Sequence, residues 1–418
     1  VDPDKILQKL EKKADYSELF YSEDQVFKVK TVKDKVEFAQ SNTNSYYQIR
    51  IIKAGKIGVC SFREEKDADK AINTALKISK YSKEYDSPSF PAPVSSKEQR
   101  VNKKALETPQ EEMESQLLNV IDSLKKKSVT VTQAGVTKSL EKSELYTTEG
   151  AEIEWDESFY SAYADISYKG TETWEEKTSI KYFDLLDLEN KLEWLAQNTC
   201  GGKRVSGETT VLLPPETVSE LVDAFFTPAI SHYNVLLNKS VFKSKRKKQV
   251  SSENLTVYDD PGLQEGLFTR EHDPEGVKCT KKHIIQSGML QDFIRDLKSS
   301  WLTKENPTGH AYRTTIGVNE SPTNLTFDSK NMIEEQDFSG VFIRDVLGVH
   351  TCNHLTGDFS LEVSSGAVMK KGEPTSPVRN CVLVGNFFEL LKNMSLSGQP
   401  EQRDHYVGPG WVFKGKII

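Results

Sequence analysis

A mixed α+β architecture, with antiparallel sheet in small N-terminal units and a β-rich C-terminal part, follows from three features of this 418-residue sequence. Residues 18–62 alternate apolar and polar positions and are rich in Val, Ile, Tyr and Phe, the mark of half-buried antiparallel strands. Segments of helical period flank them, "DKILQKLEKKA" before and "EEKDADKAINTALKISKYS" after. Beyond about residue 205, short strands are broken by Gly, Pro and Asn, and long helices are few.

The first helix has Asp2-Pro3 as its cap and first-turn proline, with Ile6, Leu7 and Leu10 at helical spacing. "ELFYSEDQVFKVKTVKDKVEFAQ" and "YYQIRIIKAGKIGVCSF" read as strands, with "KAGK" as a hairpin turn. In the helix that follows, Ala68, Ala71, Ile72, Leu76 and Ile78 form the expected buried stripe. Together these make an N-terminal α+β domain over 1–85. A stretch rich in Pro and Ser, with no periodicity, reads as a linker over 86–105. A helix at about 109–126, acidic at its start and basic at its end, suits the helix dipole. Alternating strands then run to about 183, and a helix at "LLDLENKLEWLAQN" stops at "CGGKR", giving a middle α+β domain over 106–203. The β-rich domain, 204–418, opens with a strand, "GETTVLLPP", and a helix, "PETVSELVDAFFTPAI", and its last helix is "GNFFELLKNM".

Lys and Arg number 55 against 62 Asp and Glu, a formal charge of −7, which argues against a nucleic-acid or anionic-membrane surface. The basic run "KSKRKK" at 243–248 is then a solvated loop. Five cysteines are far apart and never form CxxC, so they read as free thiols in a reducing compartment. The N-terminal stretch lacks the apolar core of a signal peptide, and no 18-residue apolar run occurs. A cytoplasmic location is the expectation, and the sequons at Asn238, Asn254, Asn324 and Asn393 are chance.

None of the seven histidines is followed by Glu, so the zincin helix is absent; so are GxGxxG after a strand, GxxxxGK[ST] and GxSxG. His272-Asp273 and Asp404-His405 place carboxylate beside imidazole, but adjacent side chains diverge, and solvated loop residues are the expectation. In "GVHTCNHLTGDFS", His350, Cys352 and His354 alternate, as metal ligands on a strand do. At about 3.3 Å per residue the two histidines start about 13 Å apart, too far for all three to reach one ion. No metal site is assigned to this chain, and His350, Cys352 and His354 are the remaining metal candidates.

The C-terminal segment resembles the TldD/TldE (PmbA, modulator of gyrase) family. "HTCNHLTGDFS" has the family form HTxNxxTGDFS through His350, Thr351, Asn353, Thr356, Gly357, Asp358, Phe359 and Ser360. "HDPEGVKCTKKHIIQSGML", "PTGHAYR" and "GNFFELLKNM" resemble further family segments in the family's order, and "ADYSELFYSE" resembles its first strand. The resemblance implies α+β N-terminal domains, a β-rich C-terminal domain and a division of labour. TldD-type chains carry HExxxH on a helix and act as zinc peptidases on unfolded or small peptides, whereas TldE-type chains lack the ligands and serve as partner subunits. Here Ser219-Glu220 and Ala224 stand where His-Glu and the second His belong. Departures occur after TGDFS, where the family's Gly- and Ala-rich stretch is "LEVSSGAV", and at "MKKGE".

The resemblance therefore implies a TldE-like, non-catalytic subunit with no cofactor of its own. Zinc is implied in a TldD-type partner, peptide is the substrate, and a homodimer is an alternative assembly. His350, Asn353, Thr356, Asp358 and His310 are the candidate residues of a substrate cleft, with edge strands as a possible docking line. The ordinary readings are a turn residue for Asp358, core for Phe359 and a backbone-bonding loop residue for Asn353. Two other classes stay open: an autonomous metallopeptidase with a non-standard site such as His350, His354 and a remote carboxylate, and a self-associating, non-enzymatic peptide-binding scaffold.

Overall fold

The computed structural model describes residues 2–418. Its chain begins with α1 (Pro3–Glu11), whose Asp2 side chain accepts from the Lys5 amide at 3.3 Å and whose Ile6 and Leu10 are buried. Three strands follow, β1 (Tyr16–Val32), β2 (Lys35–Lys53) and β3 (Lys56–Phe62). "KAGK" is the hairpin turn between the last two; Ala54 and Gly55 both take positive φ, 49° and 72°, as the twist of a two-residue loop requires. In α2 (Ala68–Tyr81) the buried stripe is Ala68, Ala71, Ile72, Ala75 and Ser79, with Leu76 partly covered. Ile78 is 45% exposed, against expectation, because it lies off the 3.6-residue stripe that these positions define.

The stretch expected as a linker is part of the sheet. It contains β4 (Ser95–Arg100), a polar strand that pairs in parallel with β6 (Glu152–Tyr168), and then α3 (Lys103–Glu107). With α4 (Gln110–Lys126), β5 (Thr130–Thr147), β7 (Thr171–Ser179) and α5 (Leu186–Thr199), this region completes a seven-stranded sheet of order β3-β2-β1-β5-β6-β4, β7 also pairing with β6. The long β1–β5 ladder, from Glu18↔Thr147 to Val32↔Gln133, fuses residues 1–85 and 106–203 into one layer. Alternation gives that layer two faces. One buries Leu19, Val29, Val136 and Ala162 under the helices; the other carries Glu18, Phe20, Asp24, Glu141 and Trp155.

The second sheet begins at β8 (Gly207–Leu213), followed by α6 (Pro215–Leu221), a π turn (Val222–Phe226), α7 (Thr227–Ile230) and α8 (His232–Leu236). Its strands are β9 (Leu255–Asp259), β10 (Lys282–Gln286), β11 (Met289–Leu290), β14 (Leu325–Ser329), β15 (Met332–Ile333), β16 (Gly340–Leu347), β17 (Asp358–Lys370), β18 (Glu373–Val378), β19 (Cys381–Asn386), β20 (Ser395–Arg403) and β21 (Tyr406–Ile417). β12 (Ala311–Thr314) and β13 (Gly317–Glu320) form a separate hairpin, and α9 (Leu297–Thr303) and α10 (Phe387–Asn393) complete the unit. Because β8 pairs with both β16 and β21, the strands β8, β16, β17, β19 and β21 close into a ring, which removes their free edges. Trp411, Tyr406, Phe225, Phe387 and Phe327 fill the core beside it.

A buried ion network ties the first sheet to the loop and the separate hairpin of the C-terminal unit. Arg50 of β2 pairs with Glu18 (2.8 Å) and Glu275, and Arg313 of β12 pairs with Glu18 (2.7 Å). Glu275 also accepts the Leu297 amide (2.7 Å).

Candidate functional site

The helix that carries Ser219, Glu220 and Ala224 is held by its apolar side: Val218, Leu221, Val222, Phe225 and Phe226 are buried against the second sheet. It was expected to run unbroken over 215–230, but a π turn interrupts it, the Thr227 amide reaching back to the Val222 carbonyl. Pro228 has no amide hydrogen to give the Ala224 carbonyl. His354 takes that place, its Nδ1 lying 3.0 Å from the carbonyl oxygen, with its ring 5.6 Å from that of Phe225.

Beside this helix runs a groove of about 390 Å³, walled by Trp174, Ser219, Glu220, Phe268, Arg403 and Asp404. Two of its lining residues, Glu216 and Arg403, belong to a cluster of paired charges. Glu216, 1% exposed, accepts from Lys191 (2.5 Å) and Arg403 (2.6 Å). Glu175 meets Arg344 (3.0 Å) and Arg403 (2.8 Å), and Arg344 also meets Asp345 (3.0 Å). Asp345 receives Thr173 (2.5 Å) and Ser365 (2.6 Å). Burial alone would raise the Glu216 carboxyl, but Arg344, Arg403 and Lys191 overcome it and hold the group far below the usual carboxylate range.

Further along the same helix the balance reverses. Loss of water, then the neighbouring Asp345, pushes Glu220 up to about 7. Loss of water, then Asp404, does the same for Asp223. Among the described residues neither has a hydrogen-bonded or ion-paired side-chain partner. Glu216, Glu220 and Asp223 sit at i, i+4 and i+7, a spacing of acids on an apolar helix that no His-based motif reveals. On the groove-facing edge of β7, Arg344 donates to the Trp174 carbonyl (2.9 Å) and Arg403 to that of Glu176.

The other candidates scatter. "GVHTCNHLTGDFS" is not a strand before Asp358: Val349–Thr351 is a 3-10 turn and residues 352–357 are loop, so the alternate-face spacing of His350, Cys352 and His354 does not exist. The cause is Gly348 and Gly357, both at positive φ, which bend the chain at each end. Among the described residues, three ligand atoms close enough to share an ion occur at Glu98, Glu271 and His272, not here. Glu98 is already occupied, accepting the amides of Glu271 (2.8 Å) and His272 (3.0 Å).

Asn353, Thr356 and Asp358 do come together, as a corner. Asn353 Oδ1 accepts the amides of Leu355 and Thr356; Thr356 donates to Asp358 (2.7 Å). Asn386 donates to Asp358 (2.8 Å) and to the Thr356 carbonyl, while its own oxygen caps α10. Phe359 is buried. His310 lies apart, 1% exposed, bridging Asp259 (3.0 Å) and the Thr308 carbonyl (2.7 Å). Asp273 is not a solvated loop residue: it is buried and accepts the amides of Glu275, Val277 and Ala311. His405, also expected in solvent, packs on Phe268 with ring centroids 4.1 Å apart and the planes tilted by 33°.

Residues 206–417 match the family model described as PmbA/TldA metallopeptidase C-terminal domain, and residues 17–79 match its domain 1. An uncharacterized protein of Methanocaldococcus jannaschii is 28% identical over 426 residues, covering all of both chains. A zinc metalloprotease TldD homolog of Saccharolobus solfataricus is 27% identical over 228 residues, 51% of this chain and 50% of its own, so the chain spans about half of that relative's length. The crystal structure of TldE from Thermococcus kodakarensis superposes with a TM-score of 0.88 at 18% identity, covering 99% of each chain, which establishes a shared fold.

Proposed function

This chain belongs to the PmbA/TldA (TldD/TldE) metallopeptidase family, and on that premise we propose that it is a TldE-like subunit, without a zinc site of its own, of a two-chain peptidase. One observation carries the reading. On the segment where the family resemblance puts HExxxH, this chain has Ser219 and Glu220 beside an open groove and Ala224 against the core, and a hydroxyl and a methyl cannot replace two imidazoles on zinc. Glu220 survives alone, and with its carboxyl near neutrality it has no metal-bound water to activate.

The chain's role is then to shape and cover a cleft for an extended peptide while a TldD-type partner supplies zinc. The groove beside α6 is the part of that cleft built by this chain. Arginines cap the β7 carbonyls on that side, so side chains rather than strand addition hold the peptide there. No helix among the described residues is long and apolar enough to cross a membrane, and we place the assembly in the cytoplasm. Co-expression with a TldD-type chain tests the reading: the two should co-purify, and hydrolysis of a denatured casein peptide should need both. Hydrolysis by this chain alone, sensitive to a chelator, would overturn it.

A further inference from the structure

A second cavity, of about 470 Å³, lies between the bare face of the first sheet and residues 268–315 of the second unit. Strand register fixes its floor. Asp24 of β1 stands directly opposite Glu141 of β5, and Glu141 directly opposite Glu157 of β6, three carboxylates abreast on one face. Like charges placed opposite each other destabilise a sheet. Glu157 is relieved by Arg100 at 2.9 Å. Asp24 and Glu141 are not: among the described residues neither side chain has a hydrogen-bond or ion-pair partner, and Asp24 Oδ1 is sealed from solvent. Glu141 keeps an exposed side chain on the cavity lining, and the water its carboxyl does lose, then Glu157 and Asp24, raise it to about 7.

Aromatic rings wall the same space. Phe20, Tyr46, Trp155 and Phe159 rise from the sheet, and Phe268 and Tyr312 close over them. Two arginines also line it. Arg313 is committed to Glu18 (2.7 Å) and to Gln48 (2.9 Å), which leaves Arg270, whose charge offsets part of the repulsion at Glu141, against two carboxylates without a bonded partner. A dehydrated metal ion is the wrong occupant, because these carboxylates do not gather as three close ligand atoms, and rings supply no oxygen ligands. Paired carboxylates inside an aromatic wall suit an organic cation on an apolar stem, held by charge and by the ring faces. The volume falls within the range of about 300–1,000 Å³ usual for ligand pockets. Phe268 lines both this cavity and the groove beside α6, so the two open past one side chain.

We infer that the Asp24–Glu141 cavity is a subsite for a basic side chain, the ammonium of Lys or the guanidinium of Arg, of a peptide whose backbone runs past Phe268. The subsite deepens the peptide-cleft reading above and rests on it for the identity of its ligand. It makes the cleft selective for basic peptides, and it explains why the sheet tolerates three adjacent carboxylates.

The test titrates Nα-acetyl-lysine methylamide and its norleucine counterpart into the full chain by calorimetry, with the double variant Asp24→Asn/Glu141→Gln as control. The lysine probe is expected to bind at least about tenfold more tightly than the norleucine probe, a preference of the size that a charge-assisted hydrogen bond and ring contacts provide. In the double variant the preference should fall to within about twofold, with the circular dichroism spectrum unchanged. Glu141→Gln alone, which relieves repulsion, serves if the double variant does not fold. Equal binding of the two probes to the native chain, binding of neither, or a preference that survives both variants overturns the subsite. An extended peptide with one central Lys is measured in parallel. Binding of that peptide with no loss on replacing Lys by norleucine sinks the subsite and leaves the cleft standing; binding of the lysine probe without any peptide binding does the reverse.

Discussion

Glu141 and Gly357 illustrate two ways in which a residue departs from what its own element prefers. Glu141 stands between two carboxylates on a strand, and its carboxyl, at about 7 rather than the ordinary 4.5, marks the strain. A carboxyl raised on folding costs nothing below the unfolded value and its full penalty above the folded one. Glu141→Gln should therefore match the native chain in urea denaturation below pH 4.5 and exceed it by about 0.5 kcal/mol at pH 8. A gap that does not change with pH would show that the charge is relieved elsewhere. Gly357 is required by geometry: φ is +84°, free of strain only for glycine, and an added Cβ would stand 2.5 Å from the Phe388 ring. Gly357→Ala should cost about 1–3 kcal/mol, read as a lower thermal midpoint, because the corner that joins Asn353, Asp358 and Asn386 must open. The sequence marked this corner as the densest family motif but placed its histidines on a strand. Alternation of His350, Cys352 and His354 is a local pattern, and only the flanking glycines said that the chain turns there.

At the scale of elements, the periodic helices and the "KAGK" hairpin were legible because each is written in residues close together in sequence. β4 was not, since "SSKEQR" has no apolar alternation and owes its strand to the partner β6. The interrupted helix over 215–230 was half legible: its apolar stripe gives the length, but the π turn comes from Pro228, whose effect on Ala224 needs His354 to complete. Its acids divide by environment. Glu216 has Lys191, Arg344 and Arg403 within reach, and Glu220 and Asp223, one and two turns on, have no hydrogen-bonded or ion-paired side-chain partner among the described residues. Glu216→Ala should destabilise by about 3–5 kcal/mol, because it strands buried guanidinium groups. Glu220→Gln, by contrast, should be neutral or stabilising at pH 8. Similar losses in both would contradict the division.

For the whole molecule, the β1–β5 ladder and the Glu18–Arg50–Glu275–Arg313 network join parts of the chain that no local pattern could pair, and this is where the domain organisation read from sequence was least informative. The motifs "DPEGV" and "PTGHAYR" make sense only here, as suppliers of Glu275 and Arg313 to that junction. The summed titration behaviour also belongs to this scale. Glu141, Glu220 and Asp223 are raised to about 7, and Asp273 and Asp296 to about 6, first by burial and then by neighbouring carboxylates. All five penalise the folded state increasingly as pH rises through the interval from about 4 to 7. His232, lowered to about 4 by burial and Arg295, works the other way over the same interval. Glu216 and Asp292 are depressed, so their contribution is lost only as pH falls below the ordinary carboxylate range. Stability should peak near pH 5 and decline toward pH 7.5 in urea titrations, whereas a steady rise to pH 7 would contradict this balance. The central claim is that the chain shapes a cleft without holding zinc, and metal analysis of the purified chain, alone and with a TldD-type partner, tests it most directly. Zinc should be absent from the chain alone and stoichiometric with the partner in the complex; stoichiometric zinc in the chain alone, lost on His350→Ala, would contradict the account.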